Sequence, residues 1–220
     1  TKSQEPENFF KNTYDRGQII LGLDCESCHG PSWEHANFHL QHPEEKEAQN
    51  MLAITSLDRQ QRLDACAKCH SGLRNPKKAP FSFMTGDTLD NYSVAGYSPT
   101  RTETLDVHGN QYGLLTASAC FQFSQEMDCS TCHNPHQNQR GDLLTFSQKC
   151  MSCHPDGKAC KMEAELGSVI TKNCIDCHMP ELPSSTLMMQ NTTTGQIDSA
   201  RIRTHRVAVY EISEDLKEYI

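Results

Sequence analysis

Short apolar clusters separated by polar stretches, rather than long periodic runs, characterise this chain. Residues 55–58, Thr-Ser-Leu-Asp, resemble a capping box and predict a helix that continues through Leu63 to the cysteine at position 66. Residues 142–149 and 168–172 predict two further short helices. Each predicted helix leads directly into a cysteine-rich stretch, so we expect helix ends to present the cysteines.

The remaining stretches predict loops. Glycine and proline punctuate residues 75–113, which indicates a long irregular excursion. Residues 186–199 are polar and predict a surface connection, and residues 1–20 predict an N-terminal extension. The best apolar run, residues 19–23, is far below the roughly 18 residues of a membrane span. We therefore expect one domain over residues 1–220, mainly α with extensive irregular loops and no transmembrane segment.

Composition changes this picture in one respect. Only 36% of the 220 residues are hydrophobic, whereas 12 are Cys and 11 are His. A domain of this length normally buries about 70% of its unfolded surface around an apolar core. Something other than aliphatic packing is therefore expected to fill the interior. The formal net charge of −8 argues against nucleic-acid binding, which needs clustered Lys and Arg.

The cysteines follow one spacing. Ten of them form five Cys-x-x-Cys pairs, and a histidine follows each pair at once. The pairs are Cys25 and Cys28, Cys66 and Cys69, Cys129 and Cys132, Cys150 and Cys153, and Cys174 and Cys177, followed by His29, His70, His133, His154 and His178. This string is the attachment pattern of c-type haem. A repeated string of this kind predicts five covalent haem c groups.

The chemistry of haem attachment explains the spacing. Two thiols three positions apart reach the two vinyl groups of one porphyrin, and the adjacent imidazole becomes the proximal iron ligand. Structural zinc sites, iron–sulfur clusters and disulfide frameworks do not require a histidine after each second cysteine. Five occurrences out of five therefore favour haem, and the haem faces would supply the apolar core that the side chains lack.

The second axial ligands decide the function. Six histidines remain for five distal positions: His35, His39, His42, His108, His136 and His205. If two imidazoles bind every iron, all five haems are low-spin and the protein is an electron carrier. If one iron lacks a distal histidine, that haem offers an open site to a small molecule, and an enzyme remains an alternative.

Local spacing separates these candidates. His136 lies three residues after His133, a link too short to pass around a macrocycle, so we expect it to serve a neighbouring haem. The same argument applies less strictly to His35, six residues after His29. His108 and His205 lie far from any string. The weakest candidates are His39 and His42, and either of them could be the fifth distal ligand.

Two cysteines lie outside the strings. Cys120 and Cys160 are predicted to form one disulfide, as leftover thiols in an oxidising compartment do, with two buried thiols as the alternative. The disulfide would cross-link the two ends of the segment that carries the third and fourth strings.

The motifs around the strings resemble a known family. Cys-His-Gly-Pro at residues 28–31, Cys-His-Asn-Pro-His at 132–136, Cys-His-Met-Pro at 177–180 and the surroundings of His108 and His205 are similar to bacterial multihaem cytochromes c. The branch that the chain resembles is related to the tetrahaem cytochrome of ammonia oxidation and to hydroxylamine oxidoreductase, and includes tetratricopeptide-linked multihaem cytochromes. The resemblance covers roughly residues 20 to 210.

This resemblance carries further expectations. It implies a mainly helical multihaem fold, export to the periplasm or the cell exterior, and distal ligation by His35, His108, His136 and His205. Longer relatives carry more strings upstream of Cys25, which leaves open a truncated parent or a distal ligand from another chain. The chain has no Cys-x-x-Cys-Lys string, so the lysine-ligated site of pentahaem nitrite reductases has no counterpart.

Three functional hypotheses follow. The first is an electron-transfer protein that passes single electrons along five bis-histidine haems between redox partner proteins, which include other cytochromes. The second is an oxidoreductase in which one open haem, that of His70 or His29, acts on a small nitrogen or sulfur oxyanion. The third is a subunit of a homo-oligomer or filament in which a distal histidine is shared between chains.

Overall fold

The computed structural model describes residues 2–4, 12–14, 17, 22–97, 105–155 and 160–211. The chain divides into two compact units, Thr1–Ala53 and Ile54–Ile220, and the single domain expected over residues 1–220 stays a prediction. Throughout the described ranges, every helix is too short or too polar to cross a bilayer.

Where the structure describes it, the first unit contains a small sheet and two helices. Strands β1 and β2 pair antiparallel, with Lys2 opposite Tyr14, inside the stretch expected to be an N-terminal extension. Gly30 caps the C-terminal end of helix α1, and its φ of 71° favours glycine. The bounds of these elements are β1 Lys2–Gln4, β2 Asn12–Tyr14, α1 Glu26–His29 and α2 Trp33–Gln41.

The second unit contains six short α-helices and two two-stranded sheets among its described residues. In chain order its elements are α3 Arg59–His70, β3 Arg74–Pro76, β4 Ser93–Ala95, α4 Gln111–Thr116, α5 Ala119–Phe123, α6 Leu143–Met151, α7 Glu163–Leu166, α8 Ile175–His178, β5 Glu181–Gln190 and β6 Ile197–Arg203. The fold is therefore a mixture of short helices, small sheets and loops, where the sequence analysis expected a mainly α class.

The helices before the strings start at capping residues. Asp58 accepts the Gln61 backbone N–H at 2.8 Å, and the Gln61 side chain accepts the Asp58 backbone N–H at 3.0 Å. The predicted helix is confirmed, but its capping box begins at Asp58 because Thr55 lies in a separate 3₁₀ turn. The helix predicted at residues 142–149 is confirmed as α6, and Asp142 caps it. The helix predicted at residues 168–172 is a 3₁₀ turn, Gly167–Thr171.

Two stretches expected to be irregular contain strands. Residues 186–199, expected as a surface connection, form most of the β5–β6 hairpin, which is largely exposed to solvent. The hairpin pairs Glu181 with Arg203 and Gln190 with Ile197, with a change of register between Pro183 and Met188. The 75–113 excursion is likewise ordered in part by the β3–β4 pair.

The apolar core of the described residues is small. The buried hydrophobic side chains are Leu63, Ala65, Ala67, Leu89, Val107, Leu114, Ile175 and Ala200. Buried hydroxyl groups, among them those of Ser118, Ser147 and Ser184, complete the interior through hydrogen bonds. So little apolar burial agrees with the expectation that side chains alone do not form the core.

Candidate haem-attachment sites

All five Cys-x-x-Cys-His strings are wound into helical turns. In four of them the histidine N–H donates to the carbonyl of the first cysteine: His29 to Cys25 at 2.9 Å, His133 to Cys129 at 2.9 Å, His154 to Cys150 at 2.9 Å and His178 to Cys174 at 3.0 Å. The remaining string forms the last turn of α3. Positions i, i+3 and i+4 share one face of a helix, so both thiols and the imidazole of each string project on the same side.

The cysteines are available for attachment. All twelve are free thiols, four of them exposed and the others half-buried. Cys120 and Cys160, the predicted disulfide partners, are among the half-buried thiols and are not bonded to each other in the structure. Burial raises the pKa of the Cys120 thiol, which disfavours its reactive thiolate form. Their pairing stays a prediction.

Backbone carbonyls orient three of the imidazoles. Nδ1 of His29 lies 2.8 Å from the Leu52 carbonyl oxygen, and Nδ1 of His178 lies 2.8 Å from that of Ala208. Nδ1 of His35 lies 2.7 Å from the carbonyl oxygen of Gln49. A carbonyl can only accept, so in each ring Nδ1 carries the proton and Nε2 carries the lone pair. Metal-bound histidines are oriented in this way.

One distal candidate faces a proximal histidine. The ring of His205 lies 6.1 Å from the ring of His133, centroid to centroid, with 25° between their planes. Among the described residues, the buried Nδ1 of His205 has no hydrogen-bond partner. Burial, followed by the charge of His133, lowers the pKa of His205 to about 4. The ring is therefore neutral at pH 7, which is the form that binds metals.

The other distal candidates are placed differently. His108 and His136 are exposed on loops. His39 Nε2 accepts the Gln49 backbone N–H at 3.4 Å, so its ligand nitrogen faces a donor. His42 directs Nδ1 toward Glu44 Oε1 at 3.6 Å, and its side chain is 49% exposed.

Contacts between strings bring their cysteines together in two places. The interaction of the Cys129 thiol with the Cys66 thiol, followed by burial, raises the pKa of Cys129. Burial and nearby thiols, Cys174 foremost, raise the pKa of Cys150 to about 12. The second string therefore adjoins the third, and the fourth adjoins the fifth.

Polar anchors fix both of these arrangements. Arg62 of α3 forms an ion pair with the buried carboxylate of Asp128, the residue before Cys129. The buried hydroxyl of Ser147 in α6 accepts the backbone N–H of Cys174 at 3.0 Å. The attachment turns are thus held to one another by the polypeptide itself.

Large apolar side chains lie uncovered near the strings. In the first unit, Trp33 of α2 is 73% exposed. In the second unit, Leu73, three residues after the second string, is 90% exposed, and Phe123 is 88% exposed. A haem presents a flat apolar surface of matching chemistry, so thiols, oriented imidazoles and uncovered apolar side chains all fit the predicted group.

The residues that orient the ligands are not recognisable in the amino-acid sequence. The carbonyl groups of Gln49, Leu52 and Ala208 carry no sequence signal because every residue has a carbonyl. Ser118 was also missed: its buried hydroxyl accepts the Val207 N–H at 2.8 Å and so holds the backbone beside His205.

Comparisons with known proteins agree with these sites. Residues 123–159, which contain the third and fourth strings, match the doubled CXXCH motif family. The chain is similar to the multiheme cytochrome MtrA of Shewanella baltica (strain OS185), with 25% identity over 191 residues. The alignment covers 73% of this chain and 52% of the relative, so the chain spans about half the length of that protein. No solved structure gives a significant match.

These matches show that the chain contains a doubled CXXCH motif and that it is similar to a multiheme cytochrome. They do not bear on the resemblance to the tetrahaem cytochrome of ammonia oxidation or to hydroxylamine oxidoreductase, which stays an expectation.

Proposed function

We propose that this chain is an electron-transfer cytochrome in which five covalently attached haems, each held by two imidazoles, pass single electrons between redox partners. The five wound Cys-x-x-Cys-His turns support the number of haems. Similarity to a multiheme cytochrome supports the class.

The observation that carries the proposal is the orientation of imidazoles by backbone carbonyls. The pattern is present in two proximal candidates, His29 and His178, and also in a distal candidate, His35. A surface histidine has no need of a fixed tautomer, whereas an axial ligand must present Nε2 to the iron. The common arrangement therefore favours axial ligation on both sides of a haem.

The haem iron, when bound, supplies the exchange of one electron between its ferric and ferrous states. The protein chain would attach the haems and complete the coordination of each iron. The ten cysteines of the strings hold the groups, the histidines complete the coordination, and His35, His108, His136 and His205 are the distal ligands that we propose. Ligation from both sides leaves no open position, which suits a carrier.

Adjacent attachment turns support rapid transfer. Cys66 contacts Cys129, and Cys150 contacts Cys174, so the groups attached there would be neighbours without any movement of the protein. The anchors Arg62 and Ser147 would keep these neighbours in place.

The fifth distal ligand is His42 in this proposal. Its competitor His39 directs Nε2 at the Gln49 N–H, which competes with a metal for the lone pair. His42 Nδ1 instead faces the Glu44 carboxylate, the kind of partner that orients metal-binding histidines.

We propose a location outside the cytoplasm, in the periplasm or at the cell exterior, because c-type haem is attached there. The net charge of −8, to which haem propionates would add, suits redox partners with basic patches and makes their association dependent on salt. Partners of this kind include other cytochromes.

Three measurements on the haem-loaded chain test the proposal. A pyridine haemochrome assay should return five haems per polypeptide, the oxidised protein should show only low-spin signals in electron paramagnetic resonance, and the reduced protein should not bind carbon monoxide. Near-stoichiometric carbon monoxide binding would contradict the electron-carrier proposal and favour an enzyme that has an open haem. If one haem is high-spin at low protein concentration and becomes low-spin as the protein concentration rises, a distal ligand is shared between chains.

A further inference from the structure

The third string and the C-terminal segment meet at two imidazole rings. His133 and His205 belong to distant parts of the chain, yet their centroids lie 6.1 Å apart and their planes differ by 25°. The other four ring pairs that include a histidine, among the residues described, are closer, at 4.6 to 5.2 Å. His133 and His205 are thus the most widely spaced of these five pairs, and their planes are the most nearly parallel.

Coordination geometry explains this spacing. Two imidazoles that bind one metal from opposite sides, each through a nitrogen about 2 Å from it, have ring centroids about 6 Å apart. The observed separation of His133 and His205 matches this value. The T-shaped pair of His133 and Phe146, at 5.1 Å, does not match it.

The C-terminal segment is anchored so that this spacing is maintained. The buried Ser118 hydroxyl accepts the Val207 N–H at 2.8 Å and lies 3.4 Å from the His205 carbonyl oxygen. One residue further, the Ala208 carbonyl accepts from His178 Nδ1 at 2.8 Å. On the other side of His205, the Thr204 N–H donates to the Pro180 carbonyl at 3.1 Å, so the segment is anchored both before and after the ring.

We infer that His133 and His205 are the two axial ligands of one iron, that of the haem attached to Cys129 and Cys132. The inference rests on the proposed function and deepens it by assigning a distal ligand to a particular haem. It also places the Ala208 carbonyl, which orients the proximal His178, only three residues after that ligand. The third and fifth haems are therefore held by one short segment.

The competing assignment is the second haem. His70, its proximal ligand, is close enough for its charge to lower the pKa of both His133 and His205. No ring contact between His70 and His205 occurs in the described part of the chain, whereas His133 and His205 form one. The geometry therefore favours the third haem over the second.

The experiment counts high-spin haems in the haem-loaded protein by electron paramagnetic resonance. His205→Ala alone should convert one haem to high spin. In a Cys129→Ala/Cys132→Ala background, which lacks the third haem, His205→Ala should add no high-spin signal. In a Cys66→Ala/Cys69→Ala background, which lacks the second haem, it should still add one. His108→Ala is the matched control and should add a high-spin haem in the background that lacks the third haem.

A high-spin signal created by His205→Ala in the absence of the third haem would overturn the assignment, whereas the proposed function would survive it. High-spin haem in the wild-type protein would count against the proposed function instead. If the background variants do not fold, anomalous scattering from iron in crystals of the loaded wild-type protein decides the question. An iron between His133 and His205 is expected, and an iron bound by His205 with any other histidine would refute the inference.

Discussion

At the scale of single residues, the tautomer of each histidine separates ligands from other imidazoles. His35 gives its Nδ1 proton to the Gln49 carbonyl, while the N–H of the same Gln49 points at Nε2 of His39. One residue thus directs two neighbouring rings in opposite ways. Nε2 of His39 already accepts a hydrogen bond from Gln49, and for this reason we choose His42 over His39 as the fifth distal ligand.

His42→Ala should convert one of the five haems of the loaded protein to high spin, because we assign its Nε2 to the iron. His39→Ala should leave all haems low-spin, because the Gln49 N–H already engages its Nε2. Electron paramagnetic resonance of the oxidised variants measures both outcomes, and the exposed Glu34→Ala variant controls for changes in the surrounding helix. The opposite pattern, or low-spin spectra from both variants, would contradict the assignment.

Ser118 acts at the same scale through a single hydroxyl. Ser118→Ala removes the acceptor of the Val207 N–H in a site that is 1% exposed. The free energy of unfolding should fall by about 1–3 kcal/mol, as for a buried group left without a partner. The potential and spectrum of the haem bound by His205 should also change. Denaturant unfolding and redox titration measure the two effects.

Thr194→Ala is the control for Ser118→Ala. The exposed Thr194 hydroxyl also accepts a backbone N–H, that of Gln196 at 3.3 Å, but it lies in the turn between β5 and β6, outside the attachment strings, so neither stability nor any haem potential should change. A loss of stability in Ser118→Ala with unchanged haem spectra would mean that Ser118 supports the fold without positioning the ligand.

At the scale of elements, helix α3 is attached to the third string by charge. Arg62 pairs with Asp128, and Asp128 also accepts the Ser130 N–H at 2.8 Å. Burial acts to raise the pKa of Asp128, but these hydrogen bonds and the Arg62 charge outweigh it and lower the pKa below its usual value. Two attachment strings are therefore held together by a carboxylate that must be ionised.

Asp128→Asn should destabilise the loaded protein by about 2–4 kcal/mol at pH 7, since it leaves Arg62 without its buried partner. The native pKa of Asp128 is depressed, so its stabilisation is fully present above the unfolded value of about 3.9 and is lost as pH falls through the native value. The difference between the variant and wild type should accordingly shrink below about pH 4.

Denaturant unfolding at several pH values, followed by circular dichroism, tests this dependence. Asp90→Asn is the matched control because Asp90 pairs with Arg74 but is 75% exposed, so its loss should cost less than about 1 kcal/mol. Equal costs for the two variants, or a cost for Asp128→Asn that does not change with pH, would contradict the role given to Asp128.

At the scale of the whole molecule, attachment strings are divided between two compact units. The first string, His35 and the two carbonyls that orient their imidazoles all lie within Thr1–Ala53. The other four strings lie within Ile54–Ile220. Because the buried hydrophobic side chains are few, each unit should depend on its own haems for stability.

Cys25→Ala/Cys28→Ala should therefore remove amide protection mainly from residues 22–53, and Cys66→Ala/Cys69→Ala mainly from residues 54–97 and beyond in the second unit. Hydrogen exchange measured by mass spectrometry on the haem-loaded variants makes the comparison, with the wild-type protein as reference. Loss of protection across both units in either variant would show that the haems stabilise the chain as one cooperative body.

The amino-acid sequence by itself determined the attachment chemistry and the capped helix that leads into the fourth string. A Cys-x-x-Cys-His string occupies five consecutive residues, and its helical turn needs only the bond from the histidine N–H to the first cysteine carbonyl. The helix that starts at Asp142 is likewise specified by its own cap. Such features depend on neighbours within one or two turns, so they can be predicted from sequence alone.

Only the tertiary structure decided which groups face one another. The separation of His133 from His205, the carbonyls of Gln49, Leu52 and Ala208, and the contact of Cys66 with Cys129 all join residues far apart in the chain. The β5–β6 hairpin was missed for a related reason, since its polar, exposed strands lack an alternating apolar pattern and are specified by pairing. Local spacing sets where a haem is attached, whereas long-range packing sets which imidazole completes its coordination.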